Sequence, residues 1–335
     1  MKLSDKAYER SQNLQFIRFI ASICVIIAHA FAISTGNERN ELLTKITGAY
    51  LGLGALAVCV FFVAGGFLIA RSVERQRTAI KYFKARAIRI FPPLIFTTVC
   101  VTFLGVLFSV YTPFEYFSNA NTWKYLLNSI FVPVHNLPGV FENNPYLPTI
   151  NGALWTLPVE FLCYIVCFIM YKFKFLQKKN FLISIPIVLC GSLVLEWMGN
   201  YIYFVRSLIR PCLLFYIGMG YWVYREQIKL KKSWLIIACI GFLITLFLGV
   251  PQVSVYIFFP YIIFMVSFGV KQCSSKLGDL GNFSYGIYLW GFPVQQAVVN
   301  MNGGIMNPYL NMLLSIPIAI ILGAMTYFLV EKKKG

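Results

Sequence analysis

The stretch NLQFIRFIASICVIIAHAFAIS, residues 13–34, decides the fold. It is long enough to cross a bilayer, which takes about 20 apolar residues. Two side chains interrupt it, Arg18 and His29. They stand eleven positions apart, so on a helix they share one face, roughly 16 Å apart along the axis. A charged Arg near mid-bilayer costs roughly 2.5–3.5 kcal/mol on insertion scales, so such a group faces a protein interior or an aqueous path unless it snorkels. The run alone leaves two readings open: an interfacial anchor with a satisfied polar neighbour, or two groups of a site.

Working outward, the chain has 335 residues, 59% hydrophobic and 12% charged. A soluble domain carries about 25% charge, so composition excludes an ordinary soluble domain. Ten apolar segments follow one another: 14–34, 50–70, 90–111, 152–171, 181–198, 205–224, 233–250, 253–270, 282–300 and 310–330. Several are short for a full crossing, so their ends are soft. The expected fold is all-α, a polytopic transmembrane helical bundle of about ten spans, forming a single integral-membrane domain over 1–335. With a cytosolic N-terminus, the segments on that side hold 23 of the 29 Lys and Arg. The positive-inside rule then puts both termini in the cytosol and the protein in the cell membrane. The net charge of +17 accordingly reads as topology, and nucleic acid is not an expected partner. Ala28-His29-Ala30 mimics a signal-peptide cleavage site, but the run is longer than a usual signal core and nine further spans follow, so the segment is expected to stay. Eight of the nine Cys lie in apolar segments, without metal-ligand spacing to a His; they read as packing, and no metal site is expected.

Four clusters near the span ends could carry chemistry. The first is Arg18 with His29. The second is FFVAGGFLIARS, residues 61–72, where Gly65-Gly66 permits close helix approach or a ligand near the backbone, and Arg71 follows the span. Gly52-x-Gly54 just upstream reads as packing. The third is Arg86-x-x-Arg89-Ile-Phe-Pro92, whose guanidinium groups could hold phosphate by forked bonds, although the motif taken alone reads first as an anchor to anionic membrane lipid. The fourth is LWTLPVEFLCYIV, residues 154–166, with Glu160 inside the fourth span. A lipid-facing Glu is expensive, so it should point inward. Beside an imidazole it would fix the tautomer and stabilise the imidazolium, as a general base requires; a structural hydrogen bond is the other reading. The outer loop 112–151 is rich in Pro, Asn and aromatics, and a loop of this length is usually functional or mobile. Its WKYLLNSIFVPV reads as a short interfacial or re-entrant helix, and its His135 as an ordinary loop residue.

In chain order, Arg18-x10-His29, FFVAGGF, RAIRIFP, LWTLPVE and NFSYGIYLWGFPV (282–294) resemble the membrane-bound acyltransferase 3 family over most of the chain. The resemblance implies a ten-helix enzyme that takes an acyl group, usually acetyl, from cytosolic acyl-CoA. It passes the group to a hydroxyl of an extracytoplasmic glycan or lipid-linked sugar. Acetyl-CoA is then the donor substrate, and no cofactor is permanently bound. Carried over by position, His29 would be the catalytic histidine, Arg18 its partner lower in the helix, and Glu160 the family's acid. Arg71, Arg86 and Arg89 would match the basic residues of the donor side. Three positions depart from the family: Gly65 and Thr156 stand where Ser is usual, and Gly291 where many members carry His. A mechanism needing a second histidine from the ninth span is therefore excluded. No extracytoplasmic hydrolase-like domain of the kind some members carry is expected.

With the charge pattern, this gives a path. Donor phosphates meet the basic inner face, and the pantetheine arm passes Arg18 toward His29. The acceptor arrives from outside, near loop 112–151, Arg206 and Arg210. The rival reading is a secondary transporter or exporter of a sugar or lipid-linked glycan, with Arg18, His29 and Glu160 as a relay. It predicts no acyl-CoA binding and dependence on the proton gradient. A non-catalytic scaffold would leave His29 dispensable.

Overall fold

A computed structural model describes residues 1–48, 50–146, 148–199 and 203–332. Among them the long helical segments are α1 Gln12–Thr35, α2 Leu53–Gln76, α3 Ala79–Leu104, α4 Thr156–Lys172 and α5 Lys178–Gly199. They continue with α6 Tyr203–Val223, α7 Lys232–Phe247, α8 Pro251–Gly269, α9 Ser284–Met301 and α10 Pro308–Thr326. No strand occurs among the described residues. Each long segment overlaps one of the expected apolar runs. Six of them (α1, α2, α3, α5, α8 and α10) are long and apolar enough to cross a membrane, and α6 and α7 contain shorter apolar helices. The molecule is an all-helical, multi-pass membrane protein.

The chain divides into two compact units; four boundaries fall inside α1 to α4 and the fifth lies between α8 and α9. The first comprises Met1–Arg18, Val58–Phe83 and Pro158–Asp279. Here α2 and α6 cross with their backbones in contact. A Cβ on Gly66 would fall on the carbonyl oxygen of Phe215, and one on Gly218 on that of Val63. Glycine alone permits this, as small residues do at membrane helix crossings. Beside the crossing, Phe67 packs on Trp222, Phe264 and Phe268 at ring distances of 5.4, 5.0 and 5.6 Å. The N-terminal residues are tied in: the Leu3 and Ser4 amides donate to Ile228 O and Arg225 O, both at 2.9 Å, and Leu3 is fully buried. In α8 the absence of an N–H on Pro260 leaves Tyr256 O without an α-helical donor. The ladder widens into a π turn over Ser254–Phe258, with Phe259 N–H donating to Ser254 O.

The second unit comprises Phe19–Ala57, Lys84–Leu157 and Leu280–Gly335. Its axis is α9, in which every residue from Ser284 to Gln296 except Tyr285 is buried. A Cβ on Gly286 would stand 2.8 Å from Gly323 Cα, so α9 and α10 touch at two glycines, and Trp290 Nε1 donates to Thr326 Oγ1 at 2.9 Å. Loop 112–151 is a folded cap. Thr112 and Glu115 form a reciprocal capping box on the helix Pro113–Ser118. The helix Ala120–Lys124 runs into a 3-10 turn over Tyr125–Ile130, so the expected short helix is present, and it ends at Phe131 (φ 67°). Tyr116, Tyr125, Leu137, Val140, Phe141 and Ile150 pack with Val101 of α3 and with Trp290 and Val294 of α9. Asparagines close the cap: Asn128 Nδ2 donates to Tyr125 O and Val134 O, Asn144 Nδ2 to Gln296 Oε1 at 2.7 Å, and Asn151 Nδ2 to Leu289 O at 2.8 Å.

Candidate active site

His29 lies on the part of α1 that belongs to the second unit. Its ring meets Phe292 edge to face with centroids 5.2 Å apart, and Phe292 meets Tyr146 similarly at 5.8 Å. Glycines bring the surrounding backbone close. A Cβ on Gly54 would lie 3.0 Å from Ala28 Cβ, one on Gly291 2.8 Å from Ile26 Cγ1, and one on Gly152 2.9 Å from the Phe292 ring. His29 is thus half-buried and held by packing. Among the described residues no group hydrogen-bonds to its imidazole. A histidine kept for structure usually has its polar atoms satisfied, whereas a base needs a nitrogen open to the proton it removes.

The candidate arginines differ in what already holds them. Arg89 Nη1 pairs with Glu331 Oε2, whose side chain is 6% exposed, and its guanidinium stands 5.9 Å from the Tyr285 ring centroid. Tyr285 OH donates to Ile90 O at 3.0 Å, beside Pro92 and Pro93. Arg86 is half-buried, and its Nε is buried with no hydrogen-bond partner among the described residues. Arg71, in the first unit, donates from Nη1 to Ala7 O at 2.9 Å and Glu9 O at 3.4 Å, so it fastens the N-terminal segment. Of the three, Arg86 is the one with a buried donor that has no partner among the described residues, a group an anion could satisfy.

Glu160 and Arg18 also belong to the first unit. Glu160 accepts a hydrogen bond from Tyr164 OH, one turn along α4, and Arg18 is half-buried. His135 is exposed in the cap, its backbone O accepting from Ile150 N at 2.8 Å. Arg210 is half-buried on α6, and the side chain of Arg206 lies outside the described residues.

The three family departures have visible surroundings. A Cβ on Gly65 would meet Phe215 Cε2 at 3.5 Å, an ordinary contact, so a small side chain fits there. Thr156 Oγ1 shares a 2.6 Å hydrogen bond with Tyr288 OH, which donates to Ala153 O at 2.6 Å. This ties the LWTLPVE motif to α9. At Gly291 the space a side chain would take is filled by Ile26, which is 1% exposed.

Three residues escaped the sequence reading. Gln295 is fully buried, and its Nε2 donates to Ile26 O at 2.8 Å, one turn from His29. The adjacent amides of Gln295-Gln296 inside an apolar run were a usable signal, since polar groups at that depth need partners. Glu331 was hidden beside three lysines counted as topology. Glu41 caps the helix Leu42–Ile46, taking the amides of Leu43 and Thr44 at 2.8 Å each, and also accepts from Leu53 N at 3.2 Å. Burial pushes its carboxyl up, but bonds from Thr44, Leu43 and Leu53 outweigh that and hold it below the ordinary carboxylate range.

No solved structure matches the chain. The family described as "Acyltransferase domain", acyltransferase 3, matches residues 11–330, through both units. An O-acetyl transferase of Shigella phage Sf6 is 30% identical over 97% of this chain and 96% of its own length. The exopolysaccharide production protein ExoZ of Rhizobium meliloti is 28% identical over 73% of this chain and 77% of its own. Nodulation protein 10 of Rhizobium leguminosarum bv. viciae is 23% identical over 66% and 60%. The five motifs, the helical membrane fold, the packed histidine and a match over nearly all residues agree: the chain belongs to the acyltransferase 3 family and is an acyltransferase.

Proposed function

We propose that the enzyme takes an acyl group, acetyl in the simplest case, from acyl-CoA on the cytosolic side of the cell membrane. It transfers the group to a hydroxyl of an extracytoplasmic or lipid-linked polysaccharide sugar. The observation that carries this reading is the reach of α9. At its foot Tyr285 lies against Arg89 and donates to Ile90; seven residues on, Phe292 lies against His29. Seven residues are about 10 Å of helix. One buried helix of one unit therefore runs from Arg89, three residues along α3 from Arg86, to an imidazole with no hydrogen-bond partner among the described residues. An extended pantetheine arm is long enough for that path. In this reading the ten long helices are ten crossings with both termini cytosolic, in line with 23 of 29 basic residues on that side. The relatives named for O-acetyl transfer and for exopolysaccharide production support the same reading.

The step follows from these positions. His29 accepts the proton of the sugar hydroxyl as its oxygen attacks the thioester carbon. The C–O bond forms, the C–S bond breaks, and the departing CoA thiolate takes the proton from the imidazolium. Base catalysis of this kind supplies about 10²–10⁴-fold, with positioning adding to it. The same reading gives Arg18 and Glu160 catalytic roles and Arg71 a donor role. The test is O-acetyl content of the surface glycan in cells making His29→Ala or Arg18→Ala protein at wild-type levels. Loss of acetylation is expected; full acetylation would overturn the assignment.

A further inference from the structure

Gln295 has a committed half and an uncommitted half. Its Nε2 donates to Ile26 O at 2.8 Å, which settles the orientation of the amide, so Oε1 is an acceptor. That Oε1 is buried and has no partner among the described residues, and the residue is 0% exposed. A buried acceptor left unmade costs about 1–3 kcal/mol, so a donor is expected to reach it in some state of the enzyme. Its place is beside the candidate base. Ile26 is one turn before His29 on α1, Phe292 is one turn before Gln295 on α9, and Phe292 touches His29. Side chains lean toward the helix N-terminus, so the amide of Gln295 reaches back to the turn of Ile26, about one turn before His29.

The surroundings indicate which ligand supplies the donor. Toward the C-terminal ends of α1 and α9, the protein satisfies its own polar groups. Asn311 Nδ2 donates to Ser34 Oγ at 3.0 Å and to Gln295 O at 3.5 Å, and Ser315 Oγ donates to Asn311 Oδ1 at 2.9 Å. All three side chains are 0–1% exposed. On that side of Gln295 the polar groups are thus already paired within the protein. The opposite direction along α9 leads to Tyr285 and Arg89. A donor arriving from there carries, two methylene groups from its sulfur, an amide N–H. Two methylenes match the offset between a thioester at the imidazole and an amide about one turn away. We infer that Gln295 Oε1 accepts a hydrogen bond from the amide N–H nearest the sulfur of the acyl-CoA donor. This places the thioester against His29 and makes Gln295 a donor-binding residue, and it rests on the acyl-CoA reading above.

The experiment measures binding of two ligands to purified protein in lipid nanodiscs: acetyl-CoA, and an analogue in which that one N–H is replaced by oxygen. Wild-type protein is expected to bind the analogue about 10-fold more weakly, the worth of one buried hydrogen bond. Gln295→Leu and Gln295→Met are expected to bind both alike. Because each ratio compares two ligands on one preparation, partial loss of folded protein cancels, and the wild-type pair alone can refute the inference even if neither variant folds. Equal binding of both ligands by wild type overturns the inference and leaves the acyl-CoA reading standing, a buried water then being the partner of Oε1. A 10-fold preference that persists in Gln295→Leu overturns it as well. Binding of neither ligand by wild type overturns the acyl-CoA reading and this inference with it.

Discussion

Gly65 and Gly66 are neighbours, and alanine at either adds the same methyl group, yet the structure predicts opposite results. At Gly65 the new Cβ would meet the Phe215 ring at 3.5 and 3.6 Å, ordinary contacts. Alanine also favours helix over glycine by about 1 kcal/mol, so Gly65→Ala should be neutral or stabilising by up to that amount. At Gly66 the new Cβ would fall on Phe215 O, 2.9 Å from its carbonyl carbon and 3.0 Å from Met219 N. All three are backbone atoms of α6, and no side chain can rotate aside. A carbon–oxygen contact relaxes at about 3.3 Å, so α6 must retreat by on the order of 1 Å. Gly218 rests against Val63 O at the same crossing, so the retreat opens both contacts and loses dispersion along them. Overpacking costs about 1–3 kcal/mol, and a backbone-on-backbone clash belongs at the top of that range, about 3 kcal/mol. The assay is thermal stability of the purified variants in detergent, read as the midpoint of loss of monodisperse protein. Gly66→Ala should melt several degrees below wild type and Gly65→Ala at or above it. Equal losses for the two, or an unchanged Gly66→Ala, would refute the crossing geometry.

The site makes further predictions. His29→Gln should lower acyl transfer by about 10²-fold or more while stability changes little, since the ring's described contact is the packing on Phe292; kcat at saturating donor, set beside the melting midpoint, checks this. Arg86→Gln should raise the apparent KM for acyl-CoA without loss of stability, because no hydrogen bond is broken at its Nε. Arg89→Gln removes the partner of a carboxylate whose side chain is 6% exposed, so it should cost more than the ~1 kcal/mol of a surface pair and up to the ~3 of a buried one. Comparing the two variants by KM and melting point separates ligand binding from scaffolding. Glu41 has a folded-state pKa below its unfolded one, so its stabilisation is complete above the unfolded value, about 4.3, and is lost as pH falls through the folded value. Glu41→Gln should therefore melt lower at pH 7 and show a shallower loss between pH 5 and pH 3 than wild type.

The membrane class and the place of each long helix were legible in the chain because a bilayer sets both the length of an apolar run and the side on which cations remain. His29 stood out for the same reason: a polar group at that depth is costly enough to need a purpose. Gly65-Gly66 was legible as a close approach, though the chain alone did not say which of the two makes it. Loop 112–151 was legible only in part. Its short helix could be read from WKYLLNSI, but the asparagines that suggest an irregular loop are the groups that bind the cap to α9.

What the sequence by itself determined is therefore the solvent this chain folds in, the run of its helices, and a short set of polar residues that the solvent makes expensive. Tertiary structure alone decided which of those residues is already engaged. Arg89 is held by Glu331, 242 positions away, Arg71 by the backbone of the N-terminal segment, and Glu160 by Tyr164, while Arg86 Nε and Gln295 Oε1 have no partner among the described residues. The physical reason is range. Bilayer thickness and charge asymmetry act on each segment separately and leave a local pattern, whereas a hydrogen bond between α1 and α9, or an ion pair between α3 and the C-terminal turn, exists only once packing has brought distant segments together.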